Sequence, residues 1–229
     1  MSSFAAVTRR FSPPSPFSTL VWATILLLEA MLIVTYVRIN NAALGMFHVY
    51  PFIWLNVSAW VLWRTGRPSG SRRQTLLAGS IATLYFAVLG FFGGLYDIVA
   101  LSDHPEHHVH HFEQMGGFDL ALSVPPGYGP ALFYMGPELQ LALSPYLLVG
   151  YLTLSYLVYV TVIDASNAAA SGVLGIFACI SCSWPILASI AGGAGASSAL
   201  AATVYAQAYE LSTIAFVATV ALLYWRPFD

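Results

Sequence analysis

The chain has 229 residues, of which 58% are hydrophobic and 8% charged, against roughly 25% charged in an ordinary soluble domain; its mean hydropathy is +0.73. That balance excludes a soluble globule and identifies an integral membrane protein whose first partner is the lipid bilayer. All eight basic residues are arginine and the formal net charge is -2, too little basic surface for a nucleic-acid partner.

Crossing ~30 Å of hydrocarbon takes about 20 apolar residues, and six stretches meet that requirement: residues 18–38, 45–63, 76–100, 139–163, 171–194 and 199–225. Ahead of the first, Thr8-Arg9-Arg10-Phe11 resembles a twin-arginine signal. Ser12-Pro13-Pro14 and a full-length apolar run follow without a small-residue cleavage pattern, so the segment reads as an anchor. Glu29 lies near its middle. Burying a carboxylate at that depth costs at least ~2.5 kcal/mol on insertion scales, which makes it a functional candidate. The structural alternative is a protonated acid bonded to a neighbouring helix.

The second stretch holds Pro51 and Asn56, tolerated where neighbouring helices satisfy the freed backbone groups, and Trp54, Trp60 and Trp63 lie along it. Arg64, Arg67, Arg72 and Arg73 follow. The third stretch ends in Gly90, Gly93, Gly94 and Asp97. A site formed by Asp97, His48 and the next loop is one arrangement the sequence permits; His48 as a satisfied interfacial residue is the other.

The longest connection, residues 101–138, concentrates five of the six histidines: His104, His107, His108, His110 and His111, interleaved with Asp103 and Glu106. Imidazole is a common ligand for Zn, Cu, Ni and Fe, and a run of this kind can find three or four donors without a prebuilt cage, so Cu or Zn is the expected metal. An incidental, pH-responsive histidine-rich loop is the alternative. No His-Glu-x-x-His motif is present. His104-x-x-His107-His108 resembles one box of the membrane di-iron desaturases, but the other boxes are missing. Ser123-Val124-Pro125-Pro126-Gly127-Tyr128-Gly129-Pro130 and Phe133-Tyr134-Met135-Gly136-Pro137 predict turns and an interfacial lid.

The fifth stretch carries Cys179-Ile180-Ser181-Cys182-Ser183-Trp184-Pro185. Cysteines three apart share a helix face and could ligate Cu(I) or cycle as a dithiol. The surrounding Gly172, Gly175, Ala178, Gly192 and Gly193 equally fit cysteines serving as small packing residues. In the sixth, Thr203, Gln207, Glu210 and Thr213 recur near helical spacing as a polar stripe, with Glu210 expected near the membrane midplane. With six spans, seven arginines fall on one side and Arg38 alone on the other, which puts both termini in the cytoplasm and loop 101–138 outside. No sequence echo supports a three-plus-three repeat.

Tyr151-Leu152-Thr153-Leu154-Ser155-Tyr156, Cys-x-x-Cys-x-Trp-Pro at 179–185, Pro51-Phe52-Ile53-Trp54-Leu55-Asn56 and the terminal Leu223-Tyr224-Trp225-Arg226-Pro227 are similar to an uncharacterised family of haloarchaeal multi-pass membrane proteins. The resemblance implies an archaeal cell membrane and no particular reaction. The chain therefore reads as a single polytopic domain over residues 1–229, an all-α bundle of six transmembrane helices. The expected role is a transport-type or accessory protein handling a transition metal: external histidines collect it, and Cys179, Cys182, Glu29, Gln207 and Glu210 form an intramembrane polar site. A structural subunit of a respiratory or transport complex and a transmembrane thiol redox conduit are the alternatives. Phosphate loops, a Gly-x-Ser-x-Gly elbow and a retinal-type lysine are absent from the sequence.

Overall fold

The computed structural model describes residues 16–66, 68–98, 117–167 and 208–225. They fall into two compact units, Met1–Leu44 and Gly45–Asp229. The first is helix α1, Pro16–Asn40, whose 25 residues extend about 37 Å at 1.5 Å per residue. None of its residues is buried. It stops at Asn41, which takes a left-handed φ of 49°, a conformation asparagine tolerates better than most. The Ala42 amide then reaches back to the Val37 carbonyl at 3.1 Å.

In the second unit a 3-10 turn, Met46–His48, leads into α2, Tyr50–Arg64, and then α3, Arg72–Phe92. Ser71 and Gln74 cap α3 reciprocally: the Ser71 hydroxyl accepts from the Gln74 amide, and the Gln74 side chain accepts from the Ser71 amide. At the other end Gly94, with φ +75°, lets Leu95 and Gly94 donate back to the Gly90 and Phe91 carbonyls, closing the helix with a Schellman turn. The chain continues as β1 (Tyr96–Ile98), β2 (Gly117–Ala121), β3 (Ala131–Met135) and β4 (Leu139–Leu143), then α4 (Pro145–Asn167) and α5 (Ala208–Trp225).

The four strands form one antiparallel sheet in the order β1-β4-β3-β2. Because β1 leaves α3 and β4 enters α4, the Leu95, Ala131 and Leu143 ends of the strands lie next to the helices. The Ile98, Gly117 and Met135 ends lie away from them. The connection between β2 and β3 bends down onto α2. Tyr128 stacks on Phe47 at 4.4 Å between centroids and donates to the Phe47 carbonyl at 3.0 Å. Gly127, at φ +88°, approaches so closely that a Cβ there would lie 2.7 Å from the Pro51 Cβ.

Helix α4 is the hub, packed against α2, α3 and α5 and buried on nearly every side through Tyr151, Thr153, Leu154, Ser155, Leu157 and Ile163. Two of its buried hydroxyls bond within the helix, Thr153 to the Val149 carbonyl and Ser155 to the Tyr151 carbonyl, which removes the cost of leaving them unpaired; Thr161 Oγ1 is buried with no partner among the described residues. Contacts fix the helix directions. Tyr151 bonds the Gly93 carbonyl at the sheet end of α3, whereas Ile163 lies at Gly70, before the start of α3. Helix α5 runs with α2: Phe216 stacks on Trp54 and Tyr224 meets Trp60. So α2, α4 and α5 point away from the sheet and α3 points toward it.

This architecture corrects the expected all-α bundle of six transmembrane helices. Among the described residues there are five α-helices and a four-stranded sheet. Residues 96–98, expected at the end of span three, and 139–143, expected at the start of span four, are strands. Much of the expected lid is strand as well. The reason is period: Phe118-Asp119-Leu120-Ala121-Leu122 and Leu139-Gln140-Leu141-Ala142-Leu143 alternate with a repeat of two, the pattern of a half-exposed strand. Among the described residues three helices are long and apolar enough to cross a membrane, Pro16–Asn40, Arg72–Phe92 and Pro145–Asp164.

Candidate functional site

The polar contacts inside the helix layer centre on Trp54. Tyr50 and Trp54 are four residues apart on α2, and Glu210 and Thr213 three apart on α5, so each pair shares a helix face. Since the helices run in parallel, the faces meet as two rungs. The Tyr50 hydroxyl lies beside the Glu210 carboxylate, and the Trp54 indole Nε1 donates to Thr213 Oγ1 at 3.1 Å. Trp54 is 3% exposed. Its ring lies flat on Phe216, with centroids 4.0 Å apart and an 8° interplanar angle, and meets the edges of Tyr146 and Tyr151 at 5.8 Å.

Gly150 makes this possible: a Cβ there would overlap Cε3 of the indole and lie 2.7 Å from Cζ3. The aromatic contacts continue outward from Trp54 through Tyr146 to Tyr128 and Phe47, tying the sheet's lower loop to the helix core. Beside Trp54 a cavity of about 40 Å³ is lined by Tyr85, Tyr151, Ser212, Phe216 and Thr219, among others. That volume suits one or two water molecules and is far below the roughly 300–1,000 Å³ of a small-molecule site.

Glu210 is exposed. Its contact with Tyr50, the first residue of α2, places it at the sheet end of the helices and not at mid-depth. Thr213 of the predicted stripe is buried and bonded as above. Glu29 is half-buried in α1, the fourteenth of its 25 residues. His48 is 7% exposed, with Nδ1 3.3 Å from the Gly45 carbonyl, as expected for a satisfied residue at a helix entrance. Gln207, Cys179, Cys182, His104, His107, His108, His110 and His111 lie outside the described residues. Among the described residues no three His, Cys, Asp or Glu side chains gather where they could hold a metal ion.

Charge is segregated along the second unit. Its described arginines, Arg64, Arg72 and Arg73, sit at the C-terminus of α2 and the N-terminus of α3, the end opposite the sheet. Of the described carboxylates of this unit, Asp97, Asp119, Glu138 and Glu210 sit at the sheet end and Asp164 lies toward the arginines. Of the expected stripe, Glu210 and Thr213 lie on α5 while Thr203 and Gln207 lie outside the described residues; Tyr50 carries no sequence signal beyond its position four residues before Trp54.

Fold and site together define a helix-rich protein with membrane-length apolar helices, an acidic end capped by a small sheet, and an aromatic core. The chain belongs to a family of unknown function, DUF7546, whose model matches residues 1–229. No curated protein and no solved structure matches it.

Proposed function

We propose that this is a polytopic membrane protein of the kind found in haloarchaea, with both termini cytoplasmic, that gathers a transition metal, Cu or Zn, on its extracytoplasmic face as a transport-type or accessory component. The observation that carries the reading is where the sheet holds the histidine-bearing segment. β1 ends at Ile98 and β2 begins at Gly117; these are the two opposite edge strands of the sheet, with β4 and β3 between them, and both ends are on the side away from the helices. The two flanks of the histidine-bearing segment are therefore held at a fixed separation of three strand spacings, ~14 Å, which lowers the entropy cost of bringing five imidazoles together.

The orientation follows from charge: arginines gather on the cytoplasmic side of membrane helices, which leaves the sheet outside. α4 ends and α5 begins at opposite ends of the helix layer, as a fifth span at 171–194 requires. Helix α2, at 15 residues, extends only about 22 Å. Its first turn, with Tyr50, Pro51 and Phe52 buried, is roofed by the Tyr128 loop, so protein stands where a longer helix would meet lipid.

Metal analysis of the purified full chain, with and without residues 104–111, tests the proposal. The full chain is expected to carry Cu or Zn stoichiometrically and the deleted chain to lose it; metal-free protein in both forms overturns the reading. A structural-subunit role gains less support, because α3 turns its small residues Ala78, Ala82 and Gly90 inward and leaves large side chains outside.

A further inference from the structure

We propose that one face of the sheet lies on the outer leaflet of the membrane, making it a lipid-contacting platform; this rests on the orientation proposed above. Residues paired directly across strands share a face. One row, Tyr96, Leu141, Tyr134 and Phe118, crosses all four strands, flanked by Leu143, Leu132 and Leu120 and by Ile98 and Leu139. Every member is apolar or aromatic. The reverse face carries the polar Asp97, Gln140 and Asp119 together with Met135, Phe133 and Ala142.

Tyr96 shows which way the apolar face looks. Strand side chains stand roughly perpendicular to the sheet, and the Tyr96 ring lies against Gly90 while its hydroxyl donates to the Ala87 carbonyl. Ala87 precedes the last residue of α3 by five positions, so this face is turned back along the helices, toward the bilayer. Its inner half is occupied: Tyr96 and Leu143 pack against the helix core. Its outer half continues past the helices, with Phe118 75%, Leu120 54% and Leu122 72% exposed and the Phe118 ring 4.8 Å from that of Tyr134.

The exposed flank of α3 carries Leu77, Leu84 and Phe92, and the membrane reading assigns that flank to lipid. A contiguous apolar patch marks an interaction surface. Aromatic rings at the level of the headgroups, an apolar side toward the acyl chains and carboxylates on the reverse are the features of an interfacial element.

The test places single spin labels, in full-length protein with both native cysteines changed to serine, at positions 118, 119, 120 and 84 after reconstitution into phosphatidylcholine vesicles. Collision with oxygen, which concentrates in lipid, is compared with collision with a water-soluble nickel chelate. Positions 118 and 120 are expected to favour oxygen and 119 the chelate, alternating with the strand. Chelate access at 118 and 120 with oxygen access at 84 overturns the platform while leaving the membrane reading intact; chelate access at 84 overturns the membrane reading itself. Shielding of 118 from both reagents means that protein, a second copy or another segment of this chain, covers the face, and also overturns the proposal. Photolabelling of the unsubstituted chain by a lipid carrying an acyl-chain diazirine is the second measurement: adducts on Phe118, Leu120 or Leu122 support it, and none on residues 117–122 counts against it.

Discussion

Gly150→Ala is the sharpest probe of the Trp54 core. The added methyl would overlap Cε3 and sit 2.7 Å from Cζ3 of the indole, and 3.4 Å from Cε2 of Phe216. The indole has nowhere to retreat without loss. Phe216 lies flat against it, its Nε1 is engaged by Thr213, and the edges of Tyr146 and Tyr151 close two further sides. Overpacking of this kind costs about 1–3 kcal/mol, and displacing the ring weakens a buried hydrogen bond for about 1 kcal/mol more. Alanine recovers about 0.5–1 kcal/mol of helix propensity over glycine. The net expectation is a destabilisation of about 2 kcal/mol, seen as a fall of roughly 4–8 °C in the melting midpoint. Gly79→Ala is the internal control: it lies in α3 with nothing within 4 Å of its added Cβ, so only the propensity gain remains and the midpoint should hold or rise. Thermal unfolding in one detergent, followed by tryptophan fluorescence, measures both. Equal shifts for the two variants would show that Trp54 is not wedged against α4, and the packing argument would fail.

Trp54→Phe keeps the stack on Phe216 and removes the Nε1 donor, and Thr213→Val removes the acceptor. Each should cost about 1 kcal/mol through the hydrogen bond, and the double variant should cost less than their sum by that coupling; additive midpoint shifts would mean the bond is not formed. Ser71→Ala breaks the reciprocal cap of α3 and should cost about 1 kcal/mol, with faster amide exchange at Gln74 and unchanged exchange near Gly90 as the local signature. Unchanged exchange at Gln74 would remove the cap from the account.

The helices were legible because apolar length is a strong signal: Pro16–Asn40 and Arg72–Phe92 announce themselves through run length and the polar residues at Asn40, Asn41 and Ser71. The sheet was not, because a window long enough to find a span averages away a repeat of two. Leu139 to Leu143 has the same composition as the helix that follows, and only the alternation with Gln140 and Ala142 separates them. The Gly136-Pro137-Glu138 turn, with the Gly136 amide bonded to the Leu139 carbonyl at 3.0 Å, was the local signal for a hairpin. The site was legible in one half only. A polar stripe can be read from one helix's spacing, whereas its partner on another helix depends on which helices run in parallel, and that is settled by packing.

Depth is where the structure changes the functional argument most. Glu210 drew attention as a carboxylate near the midplane, where ionisation is costly and a role is implied. Its neighbour is Tyr50, at the start of α2, which sets it at the sheet end of the helices. Asp97, Asp119 and Glu138 occupy the same end, and so do the two strand ends that hold the histidine-bearing loop. Among the described residues the carboxylates of the second unit, Asp164 apart, thus collect at the sheet end, and the helix layer is packed by aromatic rings around Trp54. Glu29, in the middle of α1, is the carboxylate among the described residues that carries the mid-helix argument, and it is half-buried on a helix none of whose residues is fully buried.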